Sequence, residues 1–111
     1  MPEFKFDKRT TNLFTAILSL KSVPEAEAFF RDLCTVEELK EMADRWETAR
    51  LIDTGLPYRT IAAQVKTSTT TVSRVASWLN NGAGGYRLVL DRRGDSKAVT
   101  HHRKLFSKKS L

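Results

Sequence analysis

The chain has 111 residues, 41% of them hydrophobic, with a formal net charge of +6, one cysteine and two histidines. That length suits one domain with a modest core, to which a symmetric partner would add burial. Cys34, standing alone, excludes an intrachain disulfide and a cysteine-based zinc site and fits a cytoplasmic protein. No apolar run approaches the roughly 18 residues of a membrane span and no basic-then-apolar leader opens the sequence, so neither membrane insertion nor export is expected.

Charge is spread unevenly. Residues 1–80 hold 11 Lys/Arg against 11 Asp/Glu and residues 81–111 hold 8 against 2, which places the whole excess in the final stretch. A basic excess favours a polyanionic partner. Met1 to Arg9 alternates Phe4 and Phe6 with charges too briefly to separate a strand, an arm and disorder; it is taken as an N-terminal arm, residues 1–9. From about Thr11 to Leu20, Leu13, Phe14, Ile17, Leu18 and Leu20 recur at helical spacing with little polar cover on the reverse side, so this helix wants burial on more than one face. Ser22-Val23-Pro24-Glu25 opens a second helix with a capping residue, an early proline and an acid three residues on. Ala26, Phe29, Phe30 and Leu33 form its apolar stripe. Two short aromatic-rich helices read as parts of an interface, the other reading being an ordinary monomeric core.

Thr35-Val36-Glu37-Glu38 is a second capping box and starts the longest helix, which is expected to end near Thr54 with Gly55 as its stop. Val36, Leu39, Met42, Ala43, Trp46, Ala49 and Ile52 are its predicted buried face. Pro57 cannot continue a helix, so the next begins about Tyr58. From there to Leu79 the pattern is two helices broken by a tight turn. Ile61, Ala62 and Val65 make one apolar face, Val72, Val75, Ala76 and Leu79 make another, and Lys66 to Ser68 separates them. A helix-turn-helix needs that layout, with a small residue such as Ala62 where the helices cross and an apolar pin such as Val72. The turn position usually held by glycine is Lys66, which must therefore bear a left-handed backbone unless the turn differs. The competing reading is a plain antiparallel helix pair. Against it stands the absence of any Asp or Glu from Thr54 to Leu90, where Arg59, Lys66, Arg74 and Arg87 all occur.

Asn80-Asn81-Gly82-Ala83-Gly84-Gly85 reads as a break and Tyr86 to Arg92 as a short amphipathic helix with Leu88 and Leu90 available for packing. The folded domain is thus expected over residues 10–93. The basic tail, residues 94–111, has a disordered composition and either adds phosphate contacts or is simply solvated. His101-His102, without an acid or cysteine nearby, is not taken as a metal site, and no cofactor is expected.

With these residues in hand, the chain from about Leu13 to Asp91 resembles the Trp-repressor-like family, and most closely its YerC/YecD group. The resemblance is carried by Leu33-Cys34-Thr35-Val36-Glu37-Glu38-Leu39, Arg45, the stretch from Ile61 to Leu79, and Asn81-Gly82-Ala83-Gly84-Gly85-Tyr86-Arg87. It implies an all-α fold and an intertwined homodimer whose two reading heads meet successive major grooves of a symmetric DNA site. The tryptophan-binding member of that family holds its ligand between two arginines, with a threonine and a serine at the polar end. On this chain the threonine matches Thr35 and the arginines match Arg45 and Arg74, but the glycine and serine positions hold Val75 and Trp78. Those bulkier side chains should fill much of the space an amino acid would use, so L-tryptophan is not expected to act as corepressor. The plainer readings are that Arg45 pairs with Glu41 four residues earlier, that Arg74 meets phosphate and that Trp78 is core.

The expected function is therefore a sequence-specific, DNA-binding transcriptional regulator of the bacterial repressor kind, acting as a homodimer. Arg59, Lys66 and Arg74 would anchor phosphates. Ser68, Thr69, Thr70, Thr71 and Ser73 open the second motif helix and would face a groove, the other reading of this group being a capping cluster with hydroxyls turned to solvent. No Ser/His/Asp or Cys/His arrangement is apparent, so no enzymatic activity is expected. The rival reading is a protein-interaction dimer whose motif no longer reads DNA.

Overall fold

The computed structural model describes residues 4–94. Every regular element among them is a helix: α1 (Lys8–Leu18), α2 (Val23–Leu33), α3 (Val36–Asp53), α4 (Tyr58–Val65), α5 (Thr69–Asn81) and α6 (Gly85–Arg93). The chain separates into two compact units, one reaching Lys40 and the other starting at Glu41, inside α3. No helix of the described residues is long and apolar enough to cross a membrane. The histidine pair and the tail from Asp95 lie outside those residues.

Local capping explains most of the boundaries in the first unit. The Asp7 carboxylate accepts from the Thr10 N–H at 2.8 Å and starts α1 at Lys8, two residues before the expected start of the domain. That bond, with a second from the Thr10 hydroxyl, holds the Asp7 carboxyl below its ordinary range. Ser22 caps α2 through the Glu25 N–H at 3.2 Å, and Glu25 accepts from the Lys21 N–H at 2.9 Å. In the reciprocal box at the start of α3, the Thr35 hydroxyl accepts from the Glu38 N–H at 3.0 Å and Glu38 accepts from the Thr35 N–H at 2.8 Å. Neither α1 nor α2 has a buried residue. Phe14 is 46% exposed, Leu18 84% and Leu33 48%.

The second unit has a closed core. Leu51, Ile61, Ala62 and Val72 pack as one buried cluster flanked by Ile52, Leu56 and Val65, and Val75, Ala76, Leu79 and Leu90 are buried as well. The predicted buried face of α3 holds only at its C-terminal end. Val36, Met42 and Ala43 are exposed and Leu39, Trp46 and Ile52 are half-buried, while Thr48, Ala49 and Leu51 are the residues of α3 that are buried. Thr48 tolerates that position because its hydroxyl donates to the Asp44 carbonyl at 2.6 Å. The last helix also departs from expectation: α5 continues to Asn81, α6 starts at Gly85, and of the two leucines offered for packing Leu90 is buried whereas Leu88 is half exposed. Arg87 ties α6 to the end of α3 through Asp53 at 2.9 Å and reaches Asp91 at 3.6 Å.

Candidate nucleic-acid interface

Helices α4 and α5 are joined by Lys66, Thr67 and Ser68, and two backbone devices set the turn. Lys66 adopts the left-handed conformation, with φ 65° and ψ 51°. It is the one described residue other than glycine with positive φ. The Thr67 N–H then returns to the Ala62 carbonyl at 2.9 Å, closing the end of α4. Ser68 starts the next helix, its side chain accepting from the Thr71 N–H at 3.0 Å and lying 3.0 Å from the Thr71 hydroxyl. Ser68 and Thr71 are thus engaged with each other, and the capping reading applies to this pair.

The rest of α5 divides cleanly by face. Val72, Val75, Ala76 and Leu79 are buried; Thr69, Thr70, Ser73, Arg74 and Ser77 are exposed. Four of these five were singled out in the sequence. Ser77 was not, although its place one turn beyond Ser73 was available as a signal. The cations from Arg45 to Arg87 fall into two groups. Arg45 pairs with Glu41 at 2.7 Å, Arg50 with Glu47 at 2.8 Å and Arg87 with Asp53. Arg59, Lys66 and Arg74 are exposed and join no salt bridge among the described residues. A cation held by a carboxylate is a poorer phosphate ligand than one held by water, so the cations of α4, α5 and their turn are suited to a polyanion.

Behind that surface is a cleft of about 350 Å³, with Glu41, Asp44 and Arg45 of α3 on one side and Thr71, Arg74 and Trp78 of α5 on the other. Val75 also lines it and is only 1% exposed. The Arg45 guanidinium lies 5.7 Å from the centre of the Trp78 ring while it holds Glu41. Of the five candidate pocket residues, the structure brings Arg45, Arg74, Val75 and Trp78 together. The Thr35 hydroxyl is occupied at the cap of α3. The acids Glu41 and Asp44 were missed as walls. Their spacing of three, followed by Arg45 and Thr48, puts all four on one side of a helix.

Residues 8–94 match the model of the family described as Trp repressor protein. The chain belongs to this family. Among its relatives is the uncharacterized protein YerC of Bacillus subtilis (strain 168), 44% identical over 85 residues that cover 77% of this chain and 82% of YerC. Two solved structures share its fold. A TrpR-like protein from Eubacterium eligens ATCC 27750 superimposes with a TM-score of 0.77 at 41% identity, covering 79% of this chain and 91% of that one. A protein from Staphylococcus aureus, described as a putative Trp repressor, gives 0.75 at 39% identity, covering 79% and 88%. The all-α Trp-repressor-like fold is thus supported by both sequence and structural relatives, and the place within the YerC group expected from the sequence by the sequence relative.

Proposed function

We propose that this protein is a cytoplasmic, homodimeric transcriptional regulator of the repressor kind, which reads a two-fold-symmetric DNA site through α4 and α5 acting as a helix-turn-helix. The observation that carries this reading is that in the acid-free stretch from Thr54 to Leu90 the exposed Arg59, Lys66 and Arg74 join no salt bridge among the described residues and lie on the same helix pair as the exposed Thr69, Thr70 and Ser73. The cations fix the head on phosphates, and the short hydroxyl side chains meet base edges and thymine methyl groups. None of these hydroxyls gives the bidentate lock on guanine that arginine gives, so specificity leans on bound water and DNA shape. Dimerisation is supported by α1 and α2, whose apolar residues find no buried position within one chain.

L-Tryptophan is not part of this function. Val75 and Trp78 stand where the tryptophan-binding relative has glycine and serine, and Arg45 already holds Glu41 and the Trp78 ring. Calorimetric titration should register no heat of binding; L-tryptophan bound beside Arg45 would refute this part.

The whole reading is tested by selecting duplexes from a random DNA pool at near-physiological salt, with and without a mixture of metabolites. A symmetric enriched site is expected in both. Its affinity should fall with salt by a slope of about 0.9 per phosphate neutralised. Enrichment only with metabolites would make the cleft an effector site, and no enrichment at all would leave a dimer whose helix pair docks protein.

A further inference from the structure

We infer that Arg45 is a positioning residue: clamped by Glu41, it lies on the Trp78 indole and fixes α5 against α3 with no small molecule in the cleft. This rests on the reading of α5 as the DNA-reading helix and adds how its orientation is set.

The geometry separates two roles for one guanidinium. Glu41 precedes Arg45 by one turn of the same helix, so their 2.7 Å contact joins nothing across the fold. What it does is restrict where a long side chain points. The contact with Trp78 does cross, from α3 to α5, with the guanidinium 5.7 Å from the ring centre. A cation over an indole is held by the ring's negative face, and the half-buried position of Trp78 weakens the competition from water. Held without Glu41, the arginine would pay more rotamer entropy to stay there.

A third helix converges on the same point. Trp46, next to Arg45 in α3, stacks on Tyr86 of α6 with centroids 6.4 Å apart and planes 23° from parallel. Burial pushes the Tyr86 hydroxyl above its ordinary pKa, and the Arg45 charge pulls partly the other way, as it should if the guanidinium faces that ring too. Trp46, Trp78 and Tyr86 then line one apolar groove. Adjacent residues of α3 thus contact α5 and α6.

The test is a double-mutant cycle on the full chain with two readouts. One is amide hydrogen exchange of Thr69–Asn81 in the free protein; the other is affinity for a selected duplex. Arg45→Leu and Trp78→Leu should each speed exchange in α5 and weaken duplex binding by about threefold to tenfold, and the double variant should be little worse than either. Arg45→Lys and Trp78→Phe keep a cation and a ring and should recover most of the loss. Should Trp78→Leu fail to fold, the exposed Arg45 site decides through Leu against Lys alone. Additive effects, or equal loss with Lys and Leu, would overturn the inference. So would L-amino acids slowing α5 exchange in the unsubstituted protein. If that protein binds no duplex at all, the DNA-reading function fails while hydrogen exchange still decides whether Arg45 braces α5.

Discussion

The helices before Lys40 and those after Glu41 relate to solvent in opposite ways. α1 and α2 carry Phe14, Ile17, Leu18, Phe29, Phe30 and Leu33 and bury none of them, whereas α4 and α5 are shorter on aromatics yet enclose Ile61 and Val72 completely. Apolar content alone therefore does not make a core. The second unit closes because Ala62 lets α4 and α5 approach and the Leu51 end of α3 covers the crossing. The first unit has capped, well-formed helices and no buried residue in α1 or α2, which is what the proposed dimer would answer by covering them with a second copy.

Breaking the closed half should give the largest effect. Ile61→Ala leaves a cavity in a site with no access to solvent and is expected to cost about 2–5 kcal/mol in chemical denaturation. The open half responds differently. Phe14→Lys puts a charge on a face that is 46% exposed in the single chain, and an ordinary surface position would absorb it within about 0.5 kcal/mol. Coverage by a second copy predicts instead a protein that sediments as monomer at concentrations where the unsubstituted protein is a dimer, a weakening of at least about tenfold. A Phe14→Lys protein that remains dimeric would remove the contrast between the halves.

A smaller change sharpens the comparison at the turn. Lys66 holds a left-handed backbone that glycine accepts more readily, so Lys66→Gly should stabilise the second unit by about 1 kcal/mol in thermal melting. It should also weaken duplex binding and lower the salt slope by about 1 if the lysine anchors a phosphate. Stability and binding moving in opposite directions is the signature; a gain in both would free Lys66 of that role. The smallest effect concerns Glu47, whose carboxyl the Arg50 side-chain hydrogen bond holds below its ordinary value. A depressed carboxyl contributes stability above its unfolded pKa of 4.5 and loses it as pH falls through the folded value. Glu47→Gln should therefore cost a few tenths of a kcal/mol near neutrality, discounted for its exposure, and nothing at strongly acid pH.

Where a residue's role is local, the sequence was legible. Ser22 and Thr35 cap the helices they were expected to cap, Ser68 follows the capping reading of its group, and Val72, Val75, Ala76 and Leu79 are buried as their spacing requires. Even the conflict at Lys66 was visible, since a non-glycine residue in that turn left only two outcomes. What failed was long-range. Val36, Met42 and Ala43 carry the same periodicity as Ala49, but periodicity cannot say whether anything covers a face. Asp7 was missed because one capping residue is a weak signal among charges. At the candidate site, Arg45 meeting Glu41 followed from i,i+4 spacing, while its place over Trp78, 33 positions away in the chain, depended on how the helices cross.

Gly82 turns these contacts into a constraint on mutation just past the end of α5. Its φ of −85° is open to any residue, yet a β-carbon there would stand 2.4 Å from the Trp78 carbonyl oxygen, which already accepts the Gly82 N–H at 2.8 Å. Glycine is needed for room, not for torsion. Any larger residue must unwind the last turn of α5, and the turn it unwinds carries the indole on which Arg45 rests. If the protein reads DNA as proposed, a genetic screen for lost binding would return substitutions at this loop glycine, and the defect would look like one of recognition although its origin is steric.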